Sequence, residues 1–427
     1  MDETPATNGD KYYALGVVNE QCRNHALALF RFEDYADGTT LKSAKVVDVM
    51  ISQLRGIFGD GLASFVVKVT SISSDSCSEQ KSINKFITEQ FQNIATTARP
   101  IIVTPCAMHA CSNAETKMIL AQPKCVQEFL TSIHRLAGKG TVNNESIAGL
   151  WKSVCDENGL DHPFYHKKGK RWTMDSLNAR SGFLAWNDLV VLLDECKASK
   201  KAQSLLDVIV DNVEELRTGL GRVALGWTII RDFWSRAAKP QTRLAFACLL
   251  RSIQVLQSQA LDPTQCIDGV IRTRLQSARD KWLLGEYTTQ VASLRHEAQL
   301  KAKDDLRETV VVATTKILDM MAVTEPIIDP IEPIASEMIV PTNIPPERLF
   351  SRFKLLEERF KSMSKYVVAE MAKSCFNRMP SFMNDSPGLM SSALKTRTSF
   401  RDDGRLEEKV QSQLRVEAER IRHDKVS

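Results

Sequence analysis

The sequence lacks the signatures by which most enzymes can be recognised. It contains no GxSxG, HExxH, GxxxxGK[ST] or GxGxxG. That removes the nucleophile elbow, the zinc-protease helix, the P-loop and the dinucleotide fingerprint. Ten cysteines are present but no CxxC pair, so neither a paired zinc turn nor a dithiol redox motif is on offer. Scattered in this way, they read as free thiols in a reducing compartment. The opening MDETPATNGDK lacks the basic start and apolar middle of a secretory signal. No apolar run approaches the ~20 residues that a bilayer needs, so no membrane partner is expected and the expected location is cytoplasmic. Charge of one sign is also missing. The net charge is +4 over 427 residues, so the totals do not announce a nucleic-acid ligand, and the placement of the cations becomes the question.

What is present divides the chain into stretches of different character. Residues 1–10 read as disordered. The order β-β-α-β-α-β then predicts a small α/β lobe over 11–106. Its strand-like runs are Tyr12–Val18, Ala26–Phe32, LASFVVKVTSI and PIIVTP, and Val46, Val47, Met50, Leu54 and Ile57 set one helical period. From 107 to 323 nearly every segment has helical periodicity. Asn144 is the expected cap of the helix that ends at Gly159. FLAWNDLVVLLDEC reads as a central helix, and all six tryptophans fall in this block as anchors of one core. Residues 324–347 alternate proline with isoleucine and valine, which forbids a continuous helix and predicts an extended arm lying on a surface. A helix is expected over 348–379. A flexible tail ending in a charged helix is expected over 380–427. The fold class is therefore mainly α: a small N-terminal α/β region, a larger helical lobe, an extended Pro-rich arm and a charged tail.

The cations concentrate in one short stretch, HKKGKRWTMDSLNARSGFLAW. Lys167, Lys168, Lys170 and Arg171 fall where Pro163 and Gly169 disfavour helix. A loop of this kind can neutralise phosphates, and Trp172 can stack on a base without reading sequence. Arg180 follows. Farther along come Arg217, Arg222, Arg231, Arg236, Lys239, Arg243, Arg251, Arg272, Arg274, Arg279 and Lys281. Arginine dominates, and its planar fork suits phosphate. The plainer account is that these arginines pair with neighbouring carboxylates such as Asp207, Asp211, Glu214, Glu215 and Asp232. Cys106, His109 and Cys111, with Cys125 downstream, match no closed zinc spacing and read as buried side chains. Neither metal nor cofactor is expected, and no catalytic residue is assigned.

The layout resembles the nucleocapsid proteins of negative-strand RNA viruses, including plant viruses with a coat protein of similar size. That resemblance implies a positively charged groove holding single-stranded RNA, lined by HKKGKRW and the cations from Arg217 to Lys281. It implies self-association through the Glu325–Glu347 arm, a viral polymerase as a candidate partner, and a place in the virion. The strand-rich opening departs from the largely helical lobes of many such proteins. The rival expectation is a helical adaptor or scaffold whose cations are ordinary salt-bridge partners. A third is an enzyme whose site is assembled only in three dimensions.

Overall fold

The computed structural model describes residues 2–5, 11–18, 24–31, 42–74, 78–95, 101–137, 141–142, 145–161 and 174–321, with 338–339, 349, 353–356, 359, 368–369 and 371–373 beyond them. The protein is mainly α, with a few short strands near its N-terminus. It divides into two compact units, residues 1–102 with 343–427 and residues 103–342.

The first unit opens with a three-stranded antiparallel sheet of β1 (Asp2–Pro5), β2 (Lys11–Val18) and β3 (Asn24–Arg31). Strand β1 corrects the expectation of a disordered start. Asp2 to Pro5 pair with Ala14 to Lys11, because an edge strand is held by its backbone and needs no apolar side chains. Alternation along β2 sends Tyr13 and Leu15 into one core and Ala14 into another. A register shift at Leu15/Gly16 fits Ala26 and Leu29, an odd number of residues apart, sharing the second core.

The first core is built by α1 (Lys42–Phe58), α2 (Leu62–Val67) and α3 (Ser78–Ile94). Val46, Val47, Met50, Ile51 and Leu54 of α1 are buried in it, whereas Ile57 is exposed. The run LASFVVKVTSI is only partly a strand. Its first half is helix α2, and β4 is confined to Ser71–Ser74. Leu62 and Val66, four apart, are the buried pair of α2, so helical burial overrides the β-branched composition. The second core joins the hairpin to Leu349, Phe353, Leu356, Val368 and Ala372.

Strand β5 (Ile102–Pro105) lies at the boundary of the units. The second unit then runs through α4 (Ala107–Leu120), α5 (Lys124–Ile133), β6 (Thr141–Val142), β7 (Glu145–Ser146) and α6 (Ile147–Glu157). Ser146 caps α6 by accepting the Gly149 N–H at 3.0 Å, where Asn144 was the sequence expectation; Asn144 lies outside the described residues. Helix α6 ends as expected at Gly159, whose φ of +60° closes a Schellman turn with Leu160 N–H donating to Cys155 O at 2.7 Å.

Next come α7 (Met174–Leu184), α8 (Trp186–Glu195), α9 (Lys200–Asp211), α10 (Val213–Ala237), β8 (Gln241–Thr242), α11 (Arg243–Leu261), α12 (Ile267–Arg272), α13 (Ala278–Ala292), α14 (His296–Met321) and β9 (Met338–Ile339). The central helix is α10. It is buried around its whole circumference from Thr218 to Ile230 and packs on α4, α5, α7, α13 and α14. FLAWNDLVVLLDEC instead breaks at Ala185 into the end of α7 and α8. Gly221 shows why α10 can be so enclosed, since a Cβ there would meet the Tyr287 ring at 2.6 Å and the Phe183 ring at 3.0 Å. From the arm, Met338–Ile339 pairs antiparallel with Gln241–Thr242 of the same unit. Trp151, Trp186 and Trp227 are buried, but Trp282 is 43% exposed, so the tryptophans do not share one core.

Candidate nucleic-acid interface

HKKGKRW lies outside the described residues, and Lys167, Lys168, Lys170, Arg171 and Trp172 lie there with it. Both shoulders of the stretch are anchored. On one side the Ser181 hydroxyl donates to the Asp161 carbonyl at 2.5 Å. Arg279 donates to the Gly159 carbonyl at 2.7 Å and sits 3.7 Å from the Asp161 carboxylate. On the other side Asp175 meets His134 Nε2 at 2.5 Å, and the Ser176 N–H donates to Glu115 at 3.1 Å.

An arginine cluster stands at the first shoulder. Asp280 on α13 lies 3.3 Å from Arg180 Nη2 and accepts from Arg231 Nη2 at 2.6 Å. Ser277 fixes that carboxylate. Its hydroxyl donates to Asp280 Oδ2 at 2.6 Å and accepts the Asp280 N–H at 3.1 Å, a capping arrangement that starts α13. Arg180 is 1% exposed. Its contact with Asp280 is ionic rather than a well-aligned hydrogen bond, and its Nε has no acceptor. Burial pushes the Arg180 guanidinium below its usual range; Asp280 opposes that, while Arg279 and Arg231 add to it. Three arginines thus face two aspartates, Asp280 and Asp161, and the cluster retains an excess of positive charge.

The remaining cations fall into three groups. Arg222 is 3% exposed and Arg243 5%. Arg222 donates to Gln122 at 3.1 Å and pairs with Asp305 at 2.8 Å. Expected from the sequence on an RNA groove, both sit in the interior with Arg180, where a phosphate chain cannot reach them without rearrangement. Arg217 is half-buried and its pKa is lowered by burial, against which the Glu286 charge acts. Arg274 is half-buried. Arg236, Lys239, Arg251 and Arg272 are exposed. Arg236 lies 3.6 Å from Asp232, and Arg272 interacts with Asp268. Lys239 and Arg251 make no ion pair among the described residues. No acidic residue falls between Pro240 and Leu261.

Sequence reasoning placed Trp282 in the core, yet it is the exposed aromatic of this region. It lies three residues from Arg279 on one side of α13 and donates to Glu286 at 3.0 Å. The signal was readable as RDKW, an aromatic directly among cations. Cys106 and Cys111 are buried. Burial pushes the Cys111 thiol up, and Cys106 and Glu115 add to the shift. Among the described residues no three His, Cys, Asp or Glu side chains converge as metal ligands would. Among the described residues one helix, α11, is long and apolar enough to cross a bilayer by length and composition, which the sequence expectation did not single out. Comparison of the chain with protein-family models, with curated proteins and with solved structures gave no match.

Proposed function

We propose that the protein binds single-stranded RNA without regard to sequence and oligomerises along it, as the nucleocapsid proteins of negative-strand RNA viruses do. The observation that carries this reading is the pair of half-exposed arginines, Arg231 and Arg279, held around the buried Arg180 and Asp280 at the shoulder from which the chain leads into HKKGKRW. A basic stretch rooted in an already cationic site favours a phosphate backbone by the summed field, and does so without reading bases. Trp282 and Trp172 supply surfaces on which bases stack. Lys239, Arg251 and Arg272 are further exposed cations available to phosphate. On this reading the Pro-rich arm links copies, since its pairing with β8 spans only two residues on each strand and could exchange between chains. A polymerase would be a further partner, with the cytoplasm and the virion as locations. The reading assigns no catalytic step.

Salt titration of RNA binding tests it. Each phosphate contact contributes about 0.7 to the log–log salt slope for a single strand. Replacing Lys167 and Lys170 together by glutamate is expected to lower that slope by about 1.4 and weaken all RNA sequences alike. A folded double variant with the wild-type slope would remove the loop from the interface.

A second reading is favoured by a different observation. Arg180, Arg222 and Arg231 all reach carboxylates, and the first two are buried. Those pairs are what a helical adaptor or scaffold would also contain. Nucleic-acid-free protein, with no affinity for RNA at low salt, would select the adaptor.

A further inference from the structure

Asp280 serves two arginines unequally. Its Oδ2 accepts from Arg231 at 2.6 Å and from the Ser277 hydroxyl at 2.6 Å. Its Oδ1 accepts no hydrogen bond, although Arg180 Nη2 stands 3.3 Å away. Arg180 is 1% exposed, and its Nε and Nη2 likewise have no hydrogen-bond acceptor. Those two nitrogens form one edge of the guanidinium, and such an edge can grip a carboxylate through two parallel bonds. An unused acceptor therefore lies beside an unused double donor, and all three atoms are buried.

Arg231 differs from Arg180 in access. Its side chain is 36% exposed, and Asp280 is its one acceptor among the described residues. Arg279, the other half-exposed arginine of the cluster, is also committed to the Gly159 carbonyl at 2.7 Å. Arg231 is thus the guanidinium that solvent reaches and that a single bond partner retains. Withdrawing it from Asp280 with nothing in its place would leave a buried carboxylate unpaired, which is strongly destabilising. Arg180 stands where it can prevent that. A turn of the Asp280 carboxylate toward the Nε–Nη2 edge would pair the unused Oδ1 and both unused donors. Drawing the Arg231 charge outward also relieves a repulsion, since it adds to the burial that already holds the Arg180 guanidinium below its usual range.

We propose that Arg180 is a positioning residue for phosphate binding: it takes over Asp280 when a phosphate of the RNA backbone draws Arg231 away. Arg231 makes the phosphate contact, and Arg180 touches no ligand. The carboxylate passes from one guanidinium to the other, so no charge is left buried alone in either state, and the phosphate selects between two arrangements that are both satisfied. The inference rests on the RNA reading and adds to it the residue that lets the contact form.

Salt titration of the full-length, nuclease-treated protein against a labelled oligouridine tests it. Arg231→Gln is expected to lower the log–log slope by about 0.7, the share of one phosphate contact. Arg180→Met is expected to lower it by about 0.7 as well, because Asp280 then has no other guanidinium and retains Arg231. Arg180→Gln, with the same expected slope, serves if Arg180→Met does not fold. Adding Asp280→Asn to either Arg180 variant removes both buried partners, frees Arg231 and should restore the slope. Combining Arg180→Met with Arg231→Gln should lower it no further than either change alone. A merely structural role for Arg180 would weaken binding without changing the slope and would give no restoration. A wild-type slope in an Arg180 variant with a native far-UV spectrum, or a lowered slope that Asp280→Asn leaves unrestored, overturns this inference alone. Wild-type protein that binds no oligouridine at low salt overturns the RNA reading, and the inference with it.

Discussion

Asp280 is where the chemistry of single residues is most exposed to test. Its carboxylate is almost fully buried and serves two guanidiniums, with Ser277 fixing its orientation. Removing it leaves Arg180 buried with no counter-charge in contact. Breaking a buried pair in this way costs about 3–5 kcal/mol, so Asp280→Ala should lower the urea midpoint sharply. Arg180→Met should cost less, because Asp280 then keeps Arg231 and Ser277. Equal losses would mean that Arg180 is held by packing rather than by charge. The thiols offer a second test. Burial pushes Cys155 up to about 12, with Asp156 and Asp161 adding to the shift. A raised thiol pKa keeps the sulfur protonated and unreactive below that pH. At pH 8 the native protein should accept a thiol reagent at Cys248 and Cys266, both exposed, and leave Cys155 unlabelled until it is denatured; peptide mapping reads this out. The sequence offered the cations as one undivided population. It could not separate Arg222, committed to Asp305, from Arg251, which makes no ion pair among the described residues, because such pairings join positions far apart in the chain.

At the scale of elements, α10 carries the argument. Glycine in a helix interior costs about 1 kcal/mol relative to alanine, yet α10 holds Gly219, Gly221 and Gly226. Contact explains them. A Cβ on Gly221 would strike Tyr287 and Phe183, one on Gly219 would strike Val126, and one on Gly226 would strike Met118. Gly221→Ala should therefore lose about 1–3 kcal/mol by overpacking despite its better helix propensity. Gly285 on α13 has no atom within 4 Å of its added Cβ, and Gly285→Ala should gain about 0.5–1 kcal/mol. Opposite shifts in melting temperature would separate packing from propensity. A gain at both positions would show that α10 has room to spare. The end of α6 was legible at Gly159, whereas the neighbours that require glycine in α10 come from distant segments and leave no local mark. LASFVVKVTSI was not legible, because β-branched composition is a weak guide where Leu62 and Val66 can bury themselves four residues apart.

Over the whole molecule, chain order and spatial grouping diverge. The first unit takes residues 343–427 from the far end of the chain, and Leu349 and Phe353 lie in a core with Ala14, Ala26 and Leu29 of the opening hairpin. A hairpin alone is marginal in water, and packing against a helix makes it stable. Periodicity marked the two strand runs and helical spacing around Leu349 and Phe353 but was silent about their meeting, since long-range contacts leave no mark on local spacing. Phe353 is 0% exposed, and Phe353→Ala should cost about 3–5 kcal/mol. Because the two units have separate cores, the loss should fall on the first unit alone. Hydrogen exchange mapped by peptide should then rise sharply over Lys11–Arg31 and stay unchanged over Val213–Ala237. A uniform rise would mean that the two units unfold as one, and that separate cores do not give this chain separate stabilities.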